Sequence, residues 1–206
     1  MALRTPTTGG DFELPPSGMH PARCFKLVDL GTHLNPVYSK EIHKVSIYFE
    51  LPNCLQNDGP AAGKPHFIKN DYTLSHHQKA VLRLHLEGWY GKKFDTKALD
   101  AAGGFDLEKI VGRPGFINIV HTEDGKYANI ASIAPLPQGF DIPPMYHESL
   151  VFTLQDFNPV TFAKLSPKLQ EYIKESGEYI KMHSARPEPT GGLPGNFQEM
   201  EDDIPF

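Results

Sequence analysis

Polar, cationic and aromatic residues alternate with apolar residues along Glu41–Leu51. Lys44, Ser46, Tyr48 and Glu50 share one parity, and the residues between them are apolar. Because alternate residues of a strand point to opposite faces, this pattern predicts a strand with one buried face and one solvent face. A ring beside a cation can stack on a base and attract its phosphate, which sequence-tolerant binding of single strands requires. The alternative interpretation of Tyr48 is an ordinary exposed strand tyrosine.

The last eight residues form a second candidate binding segment. Its acidic and apolar members are Glu199, Glu201, Asp202, Asp203, Ile204, Pro205 and Phe206. An acidic run is usually a solvated, disordered tail, but a purely solubilising tail needs no apolar tip. The combination predicts a partner with a basic rim for the carboxylates and an apolar pocket for the terminal ring.

Other residues are weaker candidates for contact with bases or phosphates. They are Arg23, Phe25, Lys26, Lys92, Lys93, Asn118, Tyr127 and Asn129. For Lys92 and Lys93 the alternative is a solvated turn. Trp89 lies in the apolar stripe of a predicted helix, so we expect it to be a core residue rather than a base-stacking one.

The sequence shows no pattern typical of a catalytic or metal site. The ten histidines have no His-x-x-x-His or His-x-x-Glu-His spacing, and no GxSxG, P-loop or dinucleotide fingerprint occurs. Asp202-Asp203 are adjacent carboxylates, but a mobile tail cannot hold them in a fixed acid–base geometry. We therefore expect a protein that is not an enzyme and uses no cofactor or metal.

Composition indicates one globular core. The chain has 206 residues, 39% of them hydrophobic, and its formal charge of −5 falls to −1 without the four tail carboxylates. Any nucleic-acid site must then be a local basic patch. Cys24 and Cys54 lack the spacing of zinc ligands, and no long apolar run or signal-peptide pattern occurs. We expect a cytoplasmic protein without a membrane segment.

Periodicity and turn signals predict the order of elements. The predicted strands are 23–30, 41–51, 65–72, 116–121 and 127–134, with an extra strand at 150–154. The predicted helices run from a capping box at Ser75 to Tyr90, over 106–111, and from Ser166 to Ile180. The first strand alternates imperfectly, which indicates a bulge or a barrel corner. We expect a flexible arm at 1–19, a folded domain at 20–182 and a Pro/Gly-rich linker at 183–198 before the tail at 199–206.

This order predicts the fold class. Three strands, a helix and two strands is the order of a mainly β OB-fold, a five-stranded barrel with its helix between strands three and four. Here a C-terminal helix and a disordered acidic tail would follow it. An immunoglobulin-like sandwich gives no reason for the central helix, and βαβ units would need helices between most strands.

Several short motifs carry a family resemblance. They include His20-Pro21-Ala22-Arg23-Cys24-Phe25, Glu50-Leu51-Pro52, Tyr72-Thr73-Leu74-Ser75, Asn118-Ile119-Val120-His121 and Tyr127-Ala128-Asn129-Ile130. Over roughly residues 20–182 the chain resembles bacteriophage-encoded single-stranded DNA-binding proteins of the OB-fold type. Its ending, Asp202-Asp203-Ile204-Pro205-Phe206, is similar to the tail of bacterial single-stranded DNA-binding proteins.

The resemblance implies a function and partners. It implies a protein of the bacterial host's cytoplasm that coats single-stranded DNA without sequence preference during phage replication and recombination. It also implies that the tail recruits replication, recombination and repair proteins. The alternative is an OB-fold protein-interaction adaptor that does not bind nucleic acid, which the nearly neutral body permits.

Overall fold

The structure is a computed structural model, and it describes residues 13–184. The predicted tail and nearly all of the predicted linker lie outside these residues. Within them the strands are β1 (Gly18–Asn35), β2 (Lys40–Leu55), β3 (Pro65–Thr73), β4 (Pro114–His121), β5 (Ala128–Ala134) and β6 (Leu150–Phe152). The α-helices are α1 (Val81–Tyr90), α2 (Thr96–Ala101), α3 (Pro159–Ala163), α4 (Pro167–Lys174) and α5 (Gly177–Ser184). No helix of the described part is long and apolar enough to cross a bilayer.

The strands form one open, mainly antiparallel sheet. Their order is β3-β2-β1-β4-β5, and β6 pairs in parallel with β1. The mainly β class is thus confirmed. In the described part of the chain, β3 and β5 do not pair with each other, so hydrogen bonds do not close the sheet into a barrel.

Helix α1 packs at the opening between β3 and β5. Its His85 Nδ1 lies 2.9 Å from the hydroxyl of Tyr72 on β3. On the other side, a Cβ on Gly88 would lie 2.4 Å from the carbonyl oxygen of Ile133 on β5. Only glycine permits this close approach, so the helix joins the two strand edges without a direct strand ladder.

The inner face of the sheet carries the larger core, as the sequence predicts. Val45, Ile47, Phe49 and Leu51 are all buried there. Trp89 is also buried, and its Nε1–H donates to the carbonyl oxygen of Pro114 at 2.8 Å. Its assignment to the core is confirmed.

The outer face differs from the prediction of a solvent face. Ser46 and Glu50 have no exposed surface. The cause lies at the C-terminal end, where β6 and α3–α5 pack a second apolar cluster against the outer face of β1, while the loop before β6 covers Glu50. The buried members of this cluster are Val28, Leu30, Phe152, Leu154, Phe162, Leu165 and Ile173.

Local sequence signals predicted some features of the strands and helices correctly and others wrongly. The predicted bulge in the first strand is confirmed, because the β1–β2 register shifts between Cys24 and Lys26 and again near Gly31. The predicted capping box is wrong: α1 begins at Val81, and the Ser75 hydroxyl instead accepts from the amide of His77. The helix end at Gly91 is confirmed by its left-handed conformation, with φ of 64°.

The predictions for the other helices and strands were also partly right and partly wrong. The long C-terminal helix is two helices, α4 and α5, separated near Ser176. Short α2, which Asp95 caps, was not predicted. The third strand and the 116–134 hairpin are confirmed, the extra strand is shorter than predicted, and the short helix near 106–111 is a 3-10 turn at Leu107–Ile110.

Candidate nucleic-acid interface

Strand register brings a row of cationic and aromatic side chains across three strands. Lys26 of β1 is paired with Tyr48 of β2, which is paired with Lys69 of β3. The Lys26 Nζ lies 4.7 Å from the centre of the Tyr48 ring, a cation–π contact. The row therefore places an amine on each side of one half-buried ring.

The bulge in β1 adds a second ring to this face. The shift between Cys24 and Lys26 places Phe25 and Lys26 together on the outer face, although they are neighbours in sequence. Phe25 meets Tyr48 edge-on, with centroids 6.1 Å apart, and Phe67 of β3 edge-on at 6.2 Å. Phe25 is buried, whereas Phe67 is 47% exposed, so Phe25 supports rings that face solvent.

A loop residue completes the set. His147 stacks on Phe25, with centroids 4.6 Å apart and planes inclined by 24°. It also meets Phe67 edge-on at 5.9 Å. We call Phe25, Tyr48, Phe67 and His147, with Lys26 and Lys69, the aromatic surface.

The two lysines of the aromatic surface differ in environment. Burial, and secondarily the like charge of Lys69, lowers the pKa of Lys26. No carboxylate of the described residues forms an ion pair with Lys26. Lys69 is exposed and donates to Asp71, with its Nζ 3.1 Å from Oδ2. An exposed ion pair of this kind is weak, so Lys69 can exchange its partner for a phosphate.

This geometry suits one kind of ligand. The exposed Phe67 ring and the half-buried Tyr48 ring offer stacking to bases, and neighbouring amines offer charge to phosphates. No protein-family model, curated protein or solved structure matches this chain. Within residues 13–184 no group of three or more histidine, cysteine or carboxylate side chains could hold a metal ion.

Three predicted site residues of the first two strands lie outside the aromatic surface. Lys44 is directed to α4, where its Nζ donates to the Tyr172 hydroxyl at 3.4 Å. Ser46 is buried and donates to Asp71 Oδ1 at 2.6 Å. Arg23 is half-buried, and its Nε has no hydrogen-bond partner among the described residues.

The remaining predicted residues belong to other elements. They are Lys92, Lys93, Asn118, Tyr127 and Asn129. None of these five side chains makes a hydrogen bond, ion pair or ring contact with the aromatic surface in the part of the chain that the structure describes. Lys93 instead donates to Glu87 Oε2 at 2.7 Å and, together with Arg83, holds the pKa of that carboxyl at about 2. Asn118 is half-buried on β4, whereas Tyr127 and Asn129 are exposed on the neighbouring hairpin.

The sequence analysis missed three members of this surface. Phe67 and Lys69 stand two residues apart on β3, which is the spacing that marked the second strand, so their alternation could have identified them. His147 gave no such signal, because it lies in a loop and reaches Phe25 only through tertiary contacts.

Proposed function

We propose that this protein binds single-stranded DNA without sequence preference, acting as a non-enzymatic coat in phage replication and recombination. The observation that supports this most is the row Lys26–Tyr48–Lys69, with Phe67 exposed beside it. The family resemblance supports the biological setting.

Stacking on exposed rings explains why the ligand would be single-stranded and of any sequence. An unpaired base can stack on Tyr48 or Phe67, and each such stack is worth about 1–3 kcal/mol. Every base has a π-face, so stacking does not select a sequence. In a duplex the bases are already paired and stacked, so the same rings cannot reach them and duplex affinity is low.

We further propose that the sheet is an OB barrel. The strand order β3-β2-β1-β4-β5, with α1 placed between β3 and β4 in sequence, supports this assignment. In this interpretation α1 fills the gap that a β3–β5 ladder would close. OB-folds bind oligonucleotides on the face of their second and third strands, where Tyr48 and Phe67 lie.

Binding of a single-stranded and a duplex oligonucleotide over a range of salt concentrations tests this function. We expect single-strand affinity to fall with salt, with a slope of roughly −0.7 per phosphate neutralised, and duplex binding to be much weaker. Tyr48→Ala and Phe67→Ala should each weaken single-strand binding by about 1–3 kcal/mol. Val160→Ala is the control, because Val160 is an exposed apolar side chain, at 68%, on α3 and outside the strands and loops that bind oligonucleotides in OB-folds.

The outcome also decides between this function and the adaptor alternative. A folded protein that binds no single strand at low salt would support a protein-interaction role. Equal affinity for duplex and single strand would contradict the stacking mechanism.

The role of the acidic tail is a separate proposal, since residues 199–206 lie outside the described part. A tethered polyanion can compete with DNA for the same lysines, so its deletion should tighten single-strand binding several-fold at low salt. The same deletion should abolish capture of replication proteins. Phe206→Ala should abolish capture while leaving the charge; retained capture by this variant would show that the apolar tip is irrelevant.

A further inference from the structure

Glu50 is a charged side chain buried on the outer face of the sheet. It has no exposed surface, and among residues 13–184 its carboxylate makes hydrogen bonds with two loop residues almost a hundred positions later in the chain. Its Oε1 accepts from the amide of Tyr146 at 2.9 Å, and its Oε2 accepts from the amide of His147 at 2.8 Å. The His147 ring also contacts Oε2, through Nδ1 at 2.5 Å. Burial of a carboxylate is costly unless donors compensate it, so these contacts fix the loop firmly.

The loop that Glu50 fixes has no helix or strand of its own. It spans residues 135–149 and is also attached at Ile142, which is buried, and at Phe140, whose ring meets Phe116 with centroids 5.0 Å apart. These attachments bring its end to the aromatic surface. Because no helix or strand hydrogen bonds hold the loop, loss of the Glu50 contacts should free its end from the aromatic surface.

By holding the loop, Glu50 also holds the rings of Tyr146 and His147 in place. His147 is held stacked on Phe25, and Tyr146 stands beside it with centroids 5.2 Å apart. Tyr146 is 58% exposed. A large aromatic side chain that is held in place yet mostly exposed beside other exposed rings is suited to contact a ligand.

We propose that Glu50 is a positioning residue that holds Tyr146 beside His147, so that these two rings form a wall at the edge of the aromatic surface to which His147 belongs. This inference rests on the proposed function. Bases stacked on Tyr48 or Phe67 meet the wall at their edges, where it adds contact to an unpaired strand. A second, paired strand needs the space that the wall fills. The wall therefore raises the preference for single strands over duplex as well as the affinity.

Three variants test the wall. Tyr146→Ala removes only an exposed ring, His147→Ala removes the stacked ring, and Glu50→Gln removes the charge that holds both while keeping the side chain's size. We expect each of the three variants to weaken single-strand binding severalfold, up to about tenfold, because edge contacts with bases contribute less than the stacking that Tyr48 or Phe67 provides. Duplex binding should stay unchanged or improve, so the ratio of the two affinities should fall.

Two further readouts separate positioning from a general structural role. Amide hydrogen exchange at Tyr146 and His147 should be slow in the wild type and fast in Glu50→Gln, because their amides donate to this carboxylate. The double variant Glu50→Gln/Tyr146→Ala should bind single strands no more weakly than the worse single variant, because both changes remove the same wall. Val160→Ala is again the control.

The outcomes distinguish the wall from the proposed function. If Tyr48→Ala and Phe67→Ala weaken binding while a folded Tyr146→Ala protein keeps the wild-type affinity and ratio, the wall is overturned and the function stands. If the wild type binds no single strand, the function itself fails. Because Tyr146→Ala changes an exposed residue, the test does not depend on the stability of Glu50→Gln.

Discussion

The C-terminal part of the chain is attached to the sheet in two regions, which we call the Asp29 half and the Glu50 half, by similar contacts. In each half a carboxylate of the sheet accepts a backbone amide from the C-terminal part of the chain and contacts a histidine. Asp29 accepts from the amide of Leu154 at 3.1 Å and lies 2.7 Å from His43 Nε2. Glu50 does the same with Tyr146 and His147.

The halves differ in what the fixed segment covers. Around Asp29, β6 and the C-terminal helices enclose a cluster in which Phe152 is 1% exposed. Around Glu50 the loop leaves rings in solvent, and Phe67 is 47% exposed. Enclosed rings contribute to folding, while exposed neighbouring rings are available to a ligand. Under the proposed function, the Asp29 half contributes to stability and the Glu50 half provides the binding surface.

The largest expected difference between the halves is in the cost of removing a ring. Phe152→Ala should lower the free energy of unfolding by about 3–5 kcal/mol, because it leaves a cavity in an enclosed cluster. Phe67→Ala should cost about 1 kcal/mol or less, because its ring is largely exposed. Urea unfolding of both variants measures the two values, and equal losses would remove the distinction between the halves.

The second prediction concerns the closeness of the C-terminal segment to β1. Gly31 has φ of 76°, and a Cβ there would lie 2.4 Å from the Cβ of Ser176. Gly31→Ala should therefore cost about 2–4 kcal/mol, from the left-handed backbone and from the collision together. Gly103→Ala is the control, since its φ is 73° with open space around it, and it should cost only about 1 kcal/mol. Equal costs would show that the segment is not tightly packed at this point.

The smallest expected effect is a pH dependence in the Asp29 half. The hydrogen bond to Asp29 raises the pKa of His43 against the effect of burial, and Glu178 adds to this from 3.5 Å. Burial opposes ionisation of Asp29 and Glu178, but hydrogen bonds from His43 to Asp29 and from Thr32 to Glu178 outweigh it and lower both pKa values.

The sign of the effect follows from these directions. The contribution of His43 is complete below its unfolded pKa of about 6.5 and is lost as pH rises through its higher folded pKa. The contributions of the two carboxylates are complete above about pH 4–5 and are lost as pH falls further. The cluster should stabilise the fold most between about pH 5 and 6.5.

His43→Gln isolates this contribution. It should lower the free energy of unfolding more at pH 6 than at pH 8, by less than about 1 kcal/mol, because the pair is partly exposed. Urea unfolding at the two pH values measures the difference, with His77→Gln, at an exposed histidine outside this cluster, as control. A larger loss at pH 8 than at pH 6 would contradict the assignment.

Sequence reasoning predicted the parts of the fold that depend on local pattern. Alternation identified the inner face of β2, and turn signals identified the β4–β5 hairpin and the end of α1 at Gly91. The start of α1 was missed because the Ser75 pattern is locally valid, while Arg83 instead donates to the carbonyl oxygen of His76 and holds that stretch outside the helix.

The outer face was harder to predict because distant segments determine it. Ser46 and Glu50 are polar residues at alternate positions, which indicates a solvent face, yet residues a hundred positions away cover them. The same cause separates Lys44 from the aromatic surface and brings His147 to it. The Phe67 and Lys69 positions, in contrast, were within reach of strand alternation.

Photo-crosslinking of the wild-type protein to an oligothymidylate, followed by mass spectrometry of the crosslinked peptides, tests the central claim most directly. The experiment reports where an unpaired strand lies without altering the protein. We expect crosslinks at Tyr48, Phe67 and Tyr146, the half-buried and exposed tyrosine and phenylalanine rings of the Glu50 half. Crosslinks confined to Tyr38 or Tyr127, with none on these three residues, would contradict the assignment of DNA binding to this half.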